Sequence, residues 1–210
     1  MNENTILDLA KKIKAIAAIG LLYSKDDYDK ERYHELGKIS SQLMSDELKV
    51  SPEAIENMFN NSVDYPTPKV DVRALVLNSD DQILMVQEKT DQQWALPGGW
   101  ADIGKTASEI IIQEVLEETG LEVSCKYLSA VFDKRKHPHP PQPFYVYKMI
   151  FYCRLKSSAA TILTPAFDIL DAAWFSIDAL PPLSTDRILA SQIEAVYNNI
   201  MKQDFITIFD

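Results

Sequence analysis

The chain has 210 residues, of which 46% are apolar and 25% are charged, and its formal net charge at pH 7 is -10. These are ordinary values for a folded protein, so the composition excludes a disordered chain and allows one or two domains. An acidic chain also lacks the positive charge with which proteins neutralise the phosphates of nucleic acids, so we expect no nucleic-acid partner.

The N-terminal part of the chain predicts three helices. Apolar residues recur at helical spacing in two segments. A third helix is indicated by Ser51, which can cap it, and by Pro52, which suits its first position. Three such helices make a marginal core, so we expect residues 1–62 to be a small all-α domain whose apolar stripes meet a second copy of the chain or the next domain. A homodimer is the expected assembly. The apolar positions are Ile6, Leu9, Ala10, Ile13, Ile16, Ala17 and Leu21, then Tyr33, Leu36, Ile39, Leu43 and Met44.

A linker and a second domain follow. Helix-breaking residues and two prolines, Pro66 and Pro68, mark residues 63–69 as the linker. Beyond it, strand-like and helical patterns alternate, which indicates an α/β domain over residues 70–210. The predicted strands are residues 70–77, 83–89, 123–132, 144–155, 172–176 and 205–209, and a last helix is predicted around residues 188–200.

The best-signalled helix of this domain follows a glycine turn. Thr106 and Glu109 form a capping-box pattern, and Gly120 stands where a helix commonly ends, so we expect a helix from Ala107 to Thr119. At roughly 100° per residue, one side of this helix is apolar and the opposite side is acidic. The predicted apolar positions are Ile111, Ile112, Val115, Leu116 and Thr119.

The acidic side carries three clustered carboxylates, Glu114, Glu117 and Glu118, which repel one another. An acidic helix side is usually just exposed to solvent, but a divalent cation would relieve this repulsion. An all-oxygen ligand set suits Mg²⁺ or Mn²⁺. The turn at Gly98 and Gly99 has no side chains, so backbone carbonyls can approach the same ion. These five residues are therefore the candidate metal site.

The turn and the helix together resemble the signature box of the Nudix hydrolases. Lys105 stands where the family usually has Glu, and Gln113 stands where it has Arg. In the family those two residues form an ion pair that supports the metal-binding helix, so we expect this loop to be held differently. The resemblance implies an α/β fold, the Nudix αβα sandwich with a mixed sheet. It also implies that the three glutamates are catalytic metal ligands. The matching box positions are Gly99, Glu114, Val115, Glu117, Glu118, Gly120 and Leu121.

Over most of its length the chain is similar to a narrower Nudix branch, bacterial proteins with an N-terminal helical domain. The resemblance implies a metal-dependent pyrophosphohydrolase that cleaves nucleoside diphosphates linked to another moiety, giving a nucleoside monophosphate and a phosphorylated moiety. The resemblance leaves two substrates open, CDP-choline or ADP-ribose, with CDP-choline slightly ahead on the resemblance of residues 134–143. Glu117 or a later Asp is the expected general base.

Substrate contacts are predicted at a basic segment and at two aromatic residues. Lys134, Arg135 and His137 are candidates for binding phosphate or the leaving group, although a solvated hairpin loop has the same composition. Trp100 and Tyr145 could stack on a nucleobase, although core packing is the commoner fate of such rings. The substrate is expected to be a small nucleotide.

Two further carboxylates, Asp168 and Asp171, are candidates for the metals or for the general base, and either could equally cap a turn. The departures at Lys105 and Gln113 leave one alternative function open. A catalytically weakened Nudix domain would bind a nucleotide as a sensor without consuming it.

The remaining sequence features concern the compartment. Cys125 and Cys153 have no metal-binding spacing and are interpreted as buried thiols in a reducing environment. The chain has neither a long apolar run nor the basic-then-apolar order of a signal peptide, so we expect a cytoplasmic protein without a membrane partner.

Overall fold

The structure is a computed structural model that describes residues 5–59, 65–102, 104–157, 163–165 and 169–210. The chain divides into two compact units. A helical unit comprises Met1–Pro68 and Pro141–Tyr145, and a sheet unit comprises Lys69–Pro140 and Val146–Asp210. The predicted domain limits stay a prediction, because residues 60–64, beside and within the predicted linker, lie outside the described residues.

The helical unit contains helices α1 (Ile6–Tyr23), α2 (Asp27–Leu48) and α3 (Pro52–Met58). Each begins at a residue whose side-chain oxygen accepts from backbone N–H groups of the first turn, which leaves fewer helix-end donors unpaired. The capping residues are Thr5, Asp26 and Ser51. The buried apolar cluster that the structure describes in this unit is small, and consists of Leu7, Ala10, Met44 and Ile55.

A short segment from later in the chain completes the helical unit. The Tyr145 hydroxyl donates to the carbonyl of Asp8 at 3.2 Å, and the rings of Phe144 and Phe59 lie 5.3 Å apart. The strand predicted from residue 144 therefore begins later, at Val146, because the two residues before it pack against helices instead of a neighbouring strand.

In the residues that the structure describes, the sheet unit is built on one mixed sheet of seven strands. The strands are β1 (Lys69–Leu77), β2 (Ile83–Glu88), β3 (Trp94–Ala95), β4 (Val123–Asp133), β5 (Val146–Leu155), β6 (Ile169–Phe175) and β7 (Ile208–Phe209). Their order is β3-β2-β1-β5-β4-β7, and β6 also pairs with β2. β1 runs antiparallel to β2 and parallel to β5, while β5 runs antiparallel to β4.

Each face of the sheet packs against one helix. Alternation along β1 places Val72, Ala74 and Val76 in the core shared with α4 (Ala107–Thr119). Leu75 of the same strand lies in the core that contains the buried side of α5 (Ala190–Met201). The predicted helix–sheet–helix layering with a mixed sheet is confirmed. None of the described helices is both long enough and apolar enough to cross a bilayer.

Candidate functional site

The box helix α4 is fixed at both ends by the predicted signals. The Thr106 side chain accepts from the Glu109 backbone, the Glu109 carboxylate accepts from the Thr106 backbone, and Gly120 ends the helix with a φ of 74°. Ile110, Ile111 and Val115 are buried in the core beneath it. The predicted core residue Leu116 is 46% exposed, whereas Ile110, which was not predicted in the core, is buried. The buried side of the helix is therefore rotated slightly from the predicted one.

The glycine turn is bound to the edge of β1 by backbone hydrogen bonds. Val72 N–H donates to the Gly99 carbonyl, and Ala74 N–H donates to the Pro97 carbonyl, both at 2.8 Å. Gly98 has a φ of 139°, and a Cβ there would lie 2.1 Å from the carbonyl oxygen of Val72. Only glycine fits at this position, because any side chain would overlap the backbone of the strand.

The two glycines bring two glutamates of α4 against the turn. Gly98 N–H donates to Glu118 Oε2 at 2.8 Å. A Cβ added to Gly99 would lie 3.2 Å from Glu114 Oε1, so that carboxylate faces the second glycine. The structure therefore places Glu114 and Glu118 together beside Gly98 and Gly99, which are four of the five predicted metal-site residues.

Glu118 is the most perturbed carboxyl of the site. Its side chain is buried, with 7% of the residue exposed, and burial raises its pKa to about 8. The positive charge of Arg73 and the Gly98 N–H oppose this rise in pKa, whereas the negative charges of Glu114 and Glu88 add to it. A buried carboxyl among like charges is typical of functional sites.

The third glutamate, Glu117, is turned toward another side chain. Gln113 Nε2 donates to Glu117 Oε1 at 2.5 Å, and Gln113 Oε1 accepts from Lys105 Nζ at 2.8 Å. The two box positions that depart from the family pattern thus bond directly to each other. Glu117 lies on the same helix side as Glu114 and Glu118, but it is exposed, whereas Glu118 is buried against Gly98.

The residues present suit a divalent cation in their chemistry. Among the described residues, no three His, Cys, Asp or Glu side chains converge closely enough to hold an ion as they stand. Glu114 and Glu118 nevertheless lie against a turn whose Gly99 carbonyl, which accepts from Val72 N–H, has a second lone pair with which it could bind an ion. Their mutual repulsion contributes to the raised pKa of Glu118, and a hard cation with oxygen ligands would relieve it.

A cluster of buried charges behind the turn was not predicted from the sequence. Arg73 Nη1 donates to the Leu96 carbonyl at 3.1 Å, just before the turn, and Arg73 Nε donates to Asp71 Oδ1 at 3.0 Å. Asp71 also accepts from Lys148 of β5. Burial works against ionisation of Asp71, but Arg73 and Lys148 outweigh it and keep its pKa below the usual value. Burial lowers the pKa of Lys148 to about 8.

The signal that could have revealed this cluster lies in β1. Asp71 and Arg73 alternate within an apolar strand, so they point to one sheet face, where an unpaired charge would be too costly to bury. That alternation indicates buried partners but not which residues they are.

The predicted basic residues are each paired with a carboxylate. Lys134 Nζ donates to Asp186 at 2.7 Å and is buried, Arg135 bonds Asp133, and His137 Nε2 lies 2.9 Å from Asp210 Oδ1. These contacts place carboxylates beside the three residues that were predicted to bind phosphate through their positive charge. Their predicted contact with substrate stays a prediction.

The structure does not bring together the residues predicted for nucleobase stacking and the two further carboxylates. The Trp100 ring is 51% exposed and lies beneath Lys69 Nζ, 5.3 Å from the ring centre, so it is open to a stacking partner. Tyr145 belongs to the helical unit, where it bonds Asp8. Asp171 is exposed and accepts from the backbone N–H of Ala172, the residue that follows it. Asp168 lies outside the described residues.

Comparisons with known proteins give matches over nearly the whole chain. A family described as "UDP-X-like, N-terminal oligomerisation domain" matches residues 4–59, and the NUDIX domain matches residues 67–195. A Bacillus subtilis protein, YjhB, whose name as an ADP-ribose pyrophosphatase is provisional, is 41% identical over 97% of this chain and 96% of its own.

Two solved structures are similar in both sequence and fold. A UDP-X diphosphatase is 30% identical, with a TM-score of 0.62 over 98% of each chain. An ADP-ribose pyrophosphatase from Streptococcus suis is 35% identical, with a TM-score of 0.60 over 69% of this chain and all of its own.

Proposed function

The chain belongs to the Nudix hydrolase family, as its box predicts, and we propose that it is a pyrophosphatase for nucleoside diphosphates linked to a second moiety. The observation that carries this proposal is the placement of Glu114 and Glu118 beside the Gly98–Gly99 turn. The products would be a nucleoside monophosphate and a phosphorylated moiety. The names of the relatives support ADP-ribose and UDP-linked substrates, and CDP-choline stays a prediction from the sequence.

The proposed cofactor is Mg²⁺ or Mn²⁺, held by Glu114, Glu118 and a glycine carbonyl, with one oxygen of Glu117. When bound, such an ion polarises phosphoryl oxygens and makes a bound water more acidic. The chain's own contribution is positioning. The Gly98 N–H orients Glu118, and the capping box fixes the helix on which all three glutamates lie. The general base, Glu117 or a later Asp, stays a prediction from the sequence.

The test is hydrolysis of a substrate panel, with phosphate release coupled to a phosphatase. The panel comprises ADP-ribose, UDP-glucose, CDP-choline, NADH and dGTP, each with Mg²⁺, with Mn²⁺ and with chelator. We expect metal-dependent turnover of at least one diphosphate-linked nucleotide and much weaker turnover of dGTP. Folded protein that binds a panel nucleotide without consuming it would overturn the proposal in favour of the sensor.

We also propose that the helical unit forms a homodimer. Ile6, Leu9, Ile16 and Tyr23 make an exposed apolar stripe along α1, and Leu36 and Ile39 are exposed on α2. The match to an oligomerisation domain supports burial of these residues against a second copy.

Two substitutions test this dimer. Ile16→Glu and Ile39→Glu should each shift the mass measured by light scattering toward monomer. The control Lys38→Glu, a charge change on exposed α2 surface, should not, and an unchanged mass in both isoleucine variants would contradict the proposed interface.

A further inference from the structure

The exposed side of the box helix carries a chain of hydrogen bonds that runs from Lys105 through Gln113 to Glu117. Lys105 Nζ donates to Gln113 Oε1 at 2.8 Å, and Gln113 Nε2 donates to Glu117 Oε1 at 2.5 Å. Lys105 Nζ also lies 3.6 Å from Asp102 Oδ2 in the preceding turn. Gln113 therefore links the loop before the helix to a carboxylate on the helix.

The orientation of the Gln113 amide follows from its two neighbours. A lysine ammonium can only donate hydrogen bonds, and an ionised carboxylate can only accept them. The amide must therefore turn its oxygen to Lys105 and its nitrogen to Glu117. Reversing the amide would place a carbonyl against a carboxylate and an NH₂ group against an ammonium, with both contacts repulsive.

We propose that Gln113 is a positioning residue for Glu117 and that Lys105 fixes the amide of Gln113 in the one orientation that can do this. The bond commits Oε1 of Glu117 to the amide and leaves Oε2 as the oxygen available to an ion. It also supplies a donor to a carboxylate on the same acidic helix side as Glu114 and Glu118, where like charges at helical spacing are unfavourable. This inference rests on the proposed function, because it assigns Glu117 a place beside the metal.

The pair also accounts for the departures from the box. The family pattern has a glutamate at position 105 and an arginine at position 113. This chain instead has a positively charged lysine at 105 and a neutral amide at 113. A direct bond between the two positions is kept, with donor and acceptor exchanged. Changing one position alone should therefore break the link, and changing both to the family pair should restore it.

The test is a double-mutant cycle of Lys105→Glu, Gln113→Arg and the two together, with Lys105→Met as a neutral truncation. The first readout is Mn²⁺ affinity without nucleotide, measured by electron paramagnetic resonance. Lys105→Glu should weaken Mn²⁺ binding by about three- to tenfold, because the acid recruits the amide nitrogen and turns the carbonyl toward Glu117. Lys105→Met should weaken it less. The double variant should return to within about twofold of the unmodified chain.

The second readout is kcat and KM on the best nucleotide of the panel. A positioning role predicts that Lys105→Glu lowers kcat with little change in KM and that excess Mn²⁺ recovers part of the loss. The matched control is Lys156→Glu, which breaks a surface ion pair at 3.3 Å with Glu122, beyond the end of the box helix, and makes the same charge change there. It should leave Mn²⁺ affinity unchanged.

Equal effects of Lys105→Glu and Lys105→Met on Mn²⁺ affinity, or additive effects in the cycle, would overturn the positioning role. Failure of the proposed function is distinguishable from this result. Coupled changes in Mn²⁺ affinity without turnover of any panel nucleotide would uphold the positioning and refute the hydrolase, whereas turnover with an additive cycle would do the reverse.

Discussion

Glu117 and Glu118 are adjacent in sequence and on the same helix, yet the protein holds them in different ways. Glu118 is buried and accepts from the Gly98 backbone, whereas Glu117 is exposed and accepts from the Gln113 side chain. A contact to the backbone depends on the path of the chain, so it survives most substitutions nearby. A contact to a side chain can be exchanged for another of matching polarity. This contrast explains why the box departs from its family at Lys105 and Gln113 and not at the glycines.

We call the contact of Glu118 with the glycine turn the buried side of the box and the contact of Glu117 with Gln113 its exposed side. The glycine turn on the buried side is also held by the cluster of buried charges around Arg73. Arg73 links the Leu96 carbonyl to Asp71, and Arg187 Nε bonds Glu88 at 2.8 Å on the next strand, β2. Removing one member of such a cluster leaves an uncompensated buried charge, which typically costs about 3–5 kcal/mol. In the described part of the chain, Lys105 contacts the half-buried Gln113 and the exposed Asp102, and neither contact belongs to a cluster of buried charges. The buried side should therefore show the larger effects of mutation.

The largest expected effect is the loss of activity in Glu118→Gln. A glutamine can still accept from the Gly98 N–H, so the fold should be preserved, but it cannot ionise to give the negatively charged ligand that a cation requires. We expect turnover of the best panel nucleotide to fall by at least about 10³-fold, which corresponds to several kcal/mol of lost metal assistance. Phosphate release and thermal unfolding, measured on the same sample, check both halves of this prediction.

Glu122→Gln is the matched control for that loss. Glu122 is exposed just beyond the helix and bonds Lys156, so its neutralisation should change neither turnover nor the unfolding midpoint. Comparable activity in Glu118→Gln and the unmodified chain would show that the buried carboxylate does not take part in the reaction.

The second prediction compares two glycines of the box. Gly98 and Gly104 both have positive φ, at 139° and 90°, but a Cβ on Gly98 would overlap Val72, whereas nothing lies within 4 Å of a Cβ on Gly104. Gly98→Ala should lower the free energy of unfolding by more than about 3 kcal/mol, because strain and overlap add. Gly104→Ala, which has the strain alone, should lower it by about 1 kcal/mol. Urea unfolding measures both, and equal losses would mean that the contact with β1 is not what holds the turn.

Local signals made the helix predictable. Thr106, Glu109 and Gly120 are close in sequence to the bonds they form, so the predicted limits of Ala107 and Thr119 match those of α4. The clustering of Glu114 and Glu118 at the glycine turn is a longer-range feature, which the acidic helix side and the turn without side chains suggested and the resemblance to the family box supported.

Long-range pairing explains what the sequence left out. Lys148 meets Asp71 across 77 positions of the chain, and a strand pattern gives no means of choosing that partner. Tyr145 follows the basic segment in sequence but packs in the helical unit, since adjacency along the chain does not decide which core takes a ring. The bond from Lys105 to Gln113 was hidden for another reason, because their departure from the family pair suggested a lost contact instead of one with reversed polarity.

The smallest expected effect is a dependence of the free energy of unfolding on pH, and it comes from His139, which lies near the buried charge of Lys148. Burial, together with the positive charges of Lys148, Lys134 and His137, lowers the pKa of His139 to about 4, against the opposing effect of the Thr185 carbonyl. The ordinary pKa of histidine is near 6.5. Between these values the unfolded chain binds the proton and the folded chain does not, so the free energy of unfolding should fall as the pH drops from 7 toward 4.

His139→Gln should make that fall shallower. Between pH 7 and pH 5 we expect the unmodified chain to lose about 1 kcal/mol more than the variant, a figure reduced because His139 is partly open to solvent. Urea unfolding at the two pH values measures the difference. His34→Gln on α2, where the ring is exposed, is the matched control and should follow the unmodified chain. If the two variants share the same pH dependence, the buried charges do not exclude a proton from His139, and the electrostatic contrast between the two sides of the box is weaker than the contacts indicate.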